Sequence, residues 1–176
     1  MKHLKSGFII LIPAIIGIAL SCERDDICAE STSTTPSLII DLYNADNTEN
    51  KKNVAGLYVI GIGQDEALSG YEIVSVNQLV LPLRTDADST QYTLRKNTTL
   101  NDDGTIDTTS GNVDTLTIKY HRNELYVSRA CGYKTIFENL SITIVEDSDN
   151  WMKSRELLLD TNTIENETET HFKITH

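Results

Sequence analysis

The feature that most constrains the fold of this chain is a two-residue period of apolar side chains. Its clearest instance is the segment TLTIKY, residues 115–120, in which polar and apolar residues alternate without a break. Successive side chains of a β-strand point to opposite faces, whereas a helix repeats about every 3.6 residues. The pattern therefore predicts β-strands that each bury one face.

The same alternation recurs from Ser37 onward, and turn-forming residues separate its instances. It is present in Leu38–Tyr43, Leu79–Leu83, Tyr92–Lys96, Leu140–Ile144 and Phe172–Ile174. Val54–Ile62 is largely apolar and rich in β-branched residues, which indicates a central strand. Short strands at this spacing predict an all-β domain, an antiparallel β-sandwich of about eight or nine strands, with a barrel as the alternative. The Cys, Trp and Cys hallmark of immunoglobulin domains is absent, so an Ig-like topology is supported by strand number alone.

Local patterns give narrower predictions. His121-Arg122-Asn123 predicts a hairpin turn that leads into a strand over Glu124–Ala130. Trp151–Asp160 fits a short helix or a bent strand, and we favour a strand because the rest of the domain offers sheet partners. Pro82 indicates an edge strand or a bulge. The glycines of GLYVIGIG, residues 56–63, lack the order of a phosphate-binding loop and indicate a bulge in a strand.

The first 21 residues have the pattern of a secretory signal peptide. Lys2 and Lys5 precede an apolar run of 13 residues, Phe8–Leu20. A bilayer-spanning helix needs about 20 apolar residues, so this run is too short, and Pro13 and Gly17 interrupt it. A positive start, a short apolar run and small residues at its end are typical of a segment that is removed on export.

The end of this run, Ala19-Leu20-Ser21-Cys22, resembles the lipobox of bacterial lipoproteins, a Leu-(Ala/Ser)-(Gly/Ala/Ser)-Cys pattern. Ser21 and Cys22 match the pattern, whereas Ala19 and Leu20 depart from it. The resemblance implies that Cys22 is the first mature residue, with a diacylglycerol thioether on its sulfur and an acylated amine. Several acyl chains anchor a protein firmly where one chain binds only marginally. The alternative is an ordinary secreted protein with an unmodified Cys22.

The remaining cysteines predict a disulfide. If lipid occupies Cys22, then Cys28 and Cys131 form an even pair in an oxidising compartment. A bond between them would close a loop of roughly 100 residues, which contributes about 4–5 kcal/mol in the chain-entropy model. The alternative is two free thiols. Neither cysteine has a CxxC spacing or a nearby histidine, so a catalytic role has no support.

Composition limits the partners of the mature chain. Residues 22–36 are polar and fit a tether, and residues 37–176 fit one domain with a sizeable core. Removing Lys2 and Lys5 from the 15 basic residues leaves 13 against 26 acidic ones, a net charge of −13. Such a charge disfavours nucleic acid and anionic headgroups as partners.

No assembled reactive or metal-binding pattern is present in the sequence. Aligning Gly104 of the acidic loop Asn101–Asp114 on an EF-hand puts Thr99 and Ser110 where Asp and Glu are required, which excludes that motif. A looser calcium site is the alternative to a solvated hairpin loop.

The histidines of the mature chain, His121, His171 and His176, lack helical metal-ligand spacing, so zinc would require two of them to converge in the sheet. No Gly-x-Ser-x-Gly elbow supports a serine nucleophile. We therefore predict no catalytic residue, no metal site and no cofactor.

Two further sets of residues have a structural and a functional interpretation. The aromatic residues Tyr126, Tyr133, Phe137 and Trp151 would form either a sugar-stacking platform or ordinary core contacts, and aromatic residues on strands are more often core. Asp107-Thr108-Thr109 resembles the short acceptor motif of O-glycosylated envelope proteins in the Bacteroidota.

Three stretches carry a resemblance over nearly the whole mature chain. They are CERDDICAESTSTTPSLIIDLYNADN from Cys22, LYVSRACGYKTIFENLSI from Leu125 and DNWMKSRELLLDTNTIENETETHFKITH from Asp149. They resemble a family of small uncharacterised lipoproteins from flavobacteria and relatives. The resemblance implies a location and a domain but no activity. The acidic run after Cys22 also resembles the signal that sends lipoproteins of this phylum to the cell surface.

These patterns predict a lipid-anchored lipoprotein of the outer membrane, on its periplasmic face or at the cell surface. We expect a non-enzymatic module that binds a protein or glycan ligand or assists an envelope assembly, with the membrane as a partner through the N-terminal lipid. An envelope hydrolase that uses loop residues and a purely structural envelope protein are the alternatives.

Overall fold

The computed structural model describes residues 27–29, 32 and 34–176. The described residues divide into two compact units. Residues 27–29, 32 and 126–133 belong to the first unit, and residues 34–125 and 134–176 form the second. The predicted signal peptide and the predicted lipid attachment at Cys22 lie outside the described residues.

Every regular element of the described residues is a β-strand. The ten strands are β1 (Leu38–Tyr43), β2 (Val54–Gly61), β3 (Glu72–Val76), β4 (Gln78–Leu81), β5 (Ser89–Lys96), β6 (Asn112–Ser128), β7 (Gly132–Ile144), β8 (Ser154–Leu157), β9 (Thr163–Ile164) and β10 (Phe172–Thr175). Within this part of the chain, none of the residues forms a helix with the length and apolarity needed to cross a membrane.

The strands form two sheets, in the orders β4-β1-β10-β8 and β3-β2-β5-β6-β7-β9. Antiparallel pairs dominate, and β1 pairs with β10 in parallel. The predicted β-sandwich is therefore confirmed, with ten strands in place of eight or nine. The additional strands are the five-residue β3 and the two-residue β9, which lack a long alternating pattern.

The core comes from the apolar positions of the alternating segments. In β6, Leu116, Ile118 and Tyr120 are buried while the residues between them are partly or fully exposed. In β1 the alternation is hidden, because five of its six residues are buried. This strand lies between β4 and β10, and its carboxylate at Asp41 is covered by Lys51, Gln78 and Thr170.

The predicted hairpin turn at His121-Arg122-Asn123 is wrong. Strand β6 continues through these residues to Ser128, and the turn lies at residues 129–131. Residues 121–126 are all exposed. Their polarity therefore reflects a strand without a buried face, which has the same composition as a turn.

The other local predictions are confirmed. The segment after Trp151 contains β8, a strand at the edge of its sheet. Pro82 directly follows β4, the opposite edge strand. Gly56 has a φ of 58° and lies at a shift in the β2–β3 register. A Cβ atom at Gly56 would lie 3.0 Å from the Asn97 Cα atom, so the bulge requires glycine.

Candidate ligand-binding groove

An open groove of about 510 Å³ lies in the second unit. Three segments form it: the loop after β2, the chain that follows β4, and the first half of β5. Its lining includes Gln64, Glu66, Leu68, Arg84, Gln91 and Tyr92. A concave surface of this size with mixed polar and apolar lining has the dimensions of a small-ligand or peptide-binding cleft.

A closed hydrogen-bond circuit fixes one wall of the groove. The Arg84 N–H donates to Thr90 Oγ1 over 2.9 Å, and Tyr120 Oη donates to the Arg84 carbonyl oxygen over 2.9 Å. Thr90 Oγ1 and Tyr120 Oη are 2.6 Å apart. Because the Tyr120 hydroxyl proton is directed at Arg84, the Thr90 hydroxyl must be the donor between them. Each group is thereby satisfied, which holds the chain after β4 against β5.

Tyr92 supports the same wall from the base of the groove. Its hydroxyl donates a hydrogen bond to the Pro82 carbonyl oxygen. Burial raises the pKa of Tyr92 to about 12, so the hydroxyl keeps its proton at physiological pH. The wall is therefore built in advance of any ligand, and binding would not require it to become ordered.

The opposite wall is the loop between β2 and β3. The Leu68 N–H donates to the Val59 carbonyl oxygen over 2.8 Å, and the Tyr71 N–H donates to the Leu68 carbonyl oxygen over 2.9 Å. Tyr71 Oη in turn accepts the Val80 N–H over 2.7 Å. These bonds fix the loop at its base, while Gln64 and Glu66 project from its exposed portion.

The arginine of the groove lining is paired, and so is Asp88, which directly precedes the lining residue Ser89. Arg84 Nε and Nη2 donate to the two carboxylate oxygens of Asp86, each over 2.9 Å. Arg122 Nε donates to Asp88 Oδ1 over 2.8 Å. The Arg84 guanidinium lowers the pKa of Asp86 through this hydrogen-bonded pair. Glu66 on the opposite wall is the other charged residue of the lining, and the remaining lining residues present amide, hydroxyl and methylene groups, which suit hydrogen bonding to a polar ligand.

The histidines do not form a joint site. His171 is buried, its Nδ1 accepts the Ile39 N–H over 2.9 Å, and its Nε2 lies 3.1 Å from the Asn166 carbonyl oxygen. These partners require the neutral ring with a proton on Nε2, and burial lowers the pKa of His171. Glu165 and Glu169 line a cavity of about 230 Å³ together with His171. Neither nitrogen of the His171 ring has a free lone pair for general-base chemistry.

The other two histidines lie elsewhere. His176 Nε2 is 3.0 Å from the Lys52 carbonyl oxygen, and the His176 ring packs edge-on against Trp151. His121 is exposed on β6. Among the described residues, no group of three or more His, Cys, Asp or Glu side chains is placed to hold a metal ion.

The acidic loop between β5 and β6 uses its carboxylates locally. Asp103 Oδ1 accepts the Thr105 N–H over 2.9 Å, and Asp107 Oδ1 accepts the Thr109 N–H over 2.8 Å. The Thr105 and Thr109 hydroxyls also donate to these oxygens, and these hydrogen bonds lower the pKa of both aspartates. Thr108, within the predicted glycan-acceptor motif, is exposed.

The four aromatic residues considered for sugar stacking divide into two pairs. Trp151 and Phe137 are buried in the core, and Trp151 Nε1 donates to the Leu94 carbonyl oxygen over 3.2 Å. Tyr126 and Tyr133 are exposed in the first unit, with ring centroids 5.4 Å apart in an edge-to-face pair. The four residues therefore form no common platform.

The disulfide expected from the cysteine count is present in the structure. Cys28 and Cys131, 103 residues apart in sequence, are bonded, and both belong to the first unit. The groove, in contrast, has no counterpart among the sequence predictions. Its segments are separated along the chain, and irregularities were expected only at Pro82 and at the glycines of residues 56–63, two places that no sequence pattern joins.

Comparison with known proteins gives one result. The model of DUF6452, a family of unknown function, matches residues 56–176. These residues contain all the segments that line the groove and both strands that flank the turn at residues 129–131. No curated protein and no solved structure matches the chain significantly.

Proposed function

The chain belongs to DUF6452, a family of unknown function, and we propose that it is a lipid-anchored binding module of the bacterial outer membrane. In this proposal, Cys22 carries the lipid and the groove of the second unit takes a protein or glycan ligand. The proposal includes no chemical step. The resemblance of the chain to small lipoproteins of flavobacteria supports the envelope location.

The groove is the observation that carries the binding role. Its wall is held by the circuit through Arg84, Thr90 and Tyr120 before any ligand arrives. A rigid, hydrogen-bonding concavity spends little conformational entropy on binding. The paired state of Arg84 and Asp86 disfavours an anionic ligand, because such a ligand would have to displace Asp86 from that bidentate pair. A glycan or an extended polar peptide fits these properties.

The anchor is supported by the sequence of the export segment and by the disulfide. Disulfides persist in oxidising compartments such as the bacterial envelope. Cys28 is bonded to Cys131, which leaves Cys22 as the third cysteine of the chain and the one that ends the lipobox-like pattern. A membrane-anchored domain with a ligand groove would act by retaining its ligand at the membrane surface.

The anchor is tested by metabolic acyl labelling and membrane fractionation. The Cys22→Ala variant should lose both the label and membrane partition. The matched control is the double variant Cys28→Ala/Cys131→Ala, which loses the disulfide and should keep the label. Retained partition of Cys22→Ala would refute the anchor.

The groove is tested separately by photo-crosslinking in intact cells. A photoreactive residue at Gln64, on the groove wall, should capture a discrete protein or glycan adduct. The control position is Thr108, which is exposed in the loop between β5 and β6 and does not line the groove. Equal adducts at both positions, or none at Gln64, would argue against the groove as the binding surface.

A further inference from the structure

The turn between β6 and β7 carries an exposed aromatic pair on an acid-free segment. Residues 126–133, which we call the hairpin tip, read YVSRACGY and contain one charged residue, Arg129. Tyr126 and Tyr133 flank the turn, are 56% and 66% exposed, and pack edge-to-face with each other. This composition contrasts with the rest of a chain whose net charge is −11.

The disulfide brings a third exposed apolar residue into the same unit. Cys28 is bonded to Cys131 in the hairpin tip, and Ile27, the residue before Cys28, is 83% exposed. Ile27 and the two tyrosines thus give this small unit three exposed apolar or aromatic side chains. Tyrosine combines an apolar ring with a polar hydroxyl, which is why it is enriched where one end of the ring is apolar and the other is wet.

The short distance in sequence between the predicted lipid and Ile27 indicates the membrane as the partner of these exposed residues. Ile27 is the fifth residue after Cys22 in sequence, and five residues of fully extended chain span at most about 18 Å. The headgroup region on each side of a bilayer is about 5–8 Å thick. A lipid on Cys22 would therefore hold Ile27, and through the disulfide the hairpin tip, within reach of the headgroups.

We propose that the hairpin tip and Ile27 contact the headgroup region of the membrane that holds the lipid anchor. This inference rests on the proposed lipidation of Cys22. The two tyrosine rings and Ile27 enter the interface between headgroups and acyl chains, and Arg129 lies at the phosphate level. The net negative charge of the chain makes a zwitterionic surface the favoured one, because an anionic surface would repel the rest of the protein.

Fluorescence quenching in vesicles tests the contact directly. Trp151 is the single tryptophan of the chain and is 2% exposed, so its emission is a protected background. The acylated mature chain, carrying Tyr126→Trp or Tyr133→Trp, is reconstituted into phosphatidylcholine vesicles whose acyl chains are brominated near the headgroup. The matched control is Leu100→Trp, at a position 55% exposed in the second unit.

We expect most of the added emission of the two tip variants to be lost in brominated vesicles and that of Leu100→Trp to be retained. Flotation of the same vesicles measures anchoring independently. If the chain floats and the tip variants are not quenched, the contact is refuted while the anchor stands. If the chain does not float, the anchor and the contact that depends on it both fail. Equal quenching at all three positions would also refute a specific role for the hairpin tip.

Discussion

His171 offers the sharpest test of how this sandwich is held together. The His171 N–H donates to the Ile39 carbonyl oxygen over 3.0 Å, and its ring Nδ1 accepts the Ile39 N–H over 2.9 Å. The ring thus replaces a backbone carbonyl at the start of the β1–β10 pair. Its Nε2 proton is directed at the Asn166 carbonyl oxygen, so both nitrogens are engaged only while the ring is neutral.

Two substitutions separate the contributions of the ring. His171→Asn keeps an acceptor near the position of Nδ1 and loses the bond to Asn166, whose exposed carbonyl can turn to water. We expect a loss of about 0.5–1.5 kcal/mol, the net value of one hydrogen bond. His171→Ala also leaves the buried Ile39 N–H without an acceptor, which adds about 1–3 kcal/mol to the loss.

The sign of the pH dependence follows from the neutral ring. Burial lowers the pKa of His171 below its ordinary value of 6.5, and the hydrogen bond to Asn166 and the nearby carboxylates of Glu169 and Glu167 oppose this shift only in part. The unfolded chain therefore binds a proton that the folded chain excludes, and stability falls as the pH decreases through about 6.5. A single such group contributes a slope of at most about 1.4 kcal/mol per pH unit.

Urea unfolding of the wild type and both variants between about pH 7.5 and pH 5 measures these quantities. Both variants should lose the His171 part of the slope and keep the part due to His176, whose pKa burial also lowers. If the wild type and the variants show the same slope, His171 is not the buried neutral group that the geometry requires. Equal stabilities of His171→Asn and His171→Ala at the higher pH would refute the role assigned to the Ile39 N–H.

Three further substitutions test two glycines and one buried carboxylate, and urea or thermal unfolding measures all three. Gly104 and Gly111 share a loop and have φ values of 82° and 72°, but a Cβ at Gly111 would lie 2.2 Å from the Lys96 carbonyl oxygen while Gly104 has open space. Gly104→Ala should cost about 1–2 kcal/mol for the left-handed backbone, and Gly111→Ala about 1–3 kcal/mol more, so equal costs would contradict the predicted clash. The buried Asp114 accepts the Met152 N–H over 2.8 Å on Oδ2 and a second backbone N–H on Oδ1. In asparagine an NH2 group replaces one of these oxygens and would face a backbone N–H, so Asp114→Asn should lose about 1–3 kcal/mol. This loss is expected although burial raises the pKa of Asp114 and the substitution removes its charge, and unchanged stability would contradict it.

The sheet could be predicted from the sequence wherever burial imposes a period. Leu116, Ile118 and Tyr120 alternate with polar residues because one face of β6 packs into the core. For the same reason β4 and β10 could be predicted as strands. β9 was not predicted because two residues cannot display a period. The turn at His121 was misplaced because an exposed strand has no apolar face from which its continuation could be inferred.

The groove could not be predicted, for a different physical reason. Its wall depends on Thr90 and Tyr120, two β-sheet residues on neighbouring strands, and on backbone atoms of Arg84. Hydroxyl groups on strands are common, and whether two of them form a hydrogen bond depends on the register of the strands that carry them. The β5–β6 register pairs Thr90 with Ile118, two residues from Tyr120, and no pattern along one strand reports that diagonal contact.

The position of the disulfide follows from where burial ends along β6. The strand has 17 residues, of which 112–120 alternate with the core and 121–126 are exposed on every side chain. A strand segment whose side chains are all exposed gains little from the hydrophobic effect, and an isolated hairpin is marginal in water. Cys131 lies in the turn just beyond this segment, where its bond to Cys28 limits the unfolded chain by closing a loop of 103 residues. In that model the covalent link raises the stability of the folded state as a whole, and it does so from a hairpin end whose exposed side chains contribute little.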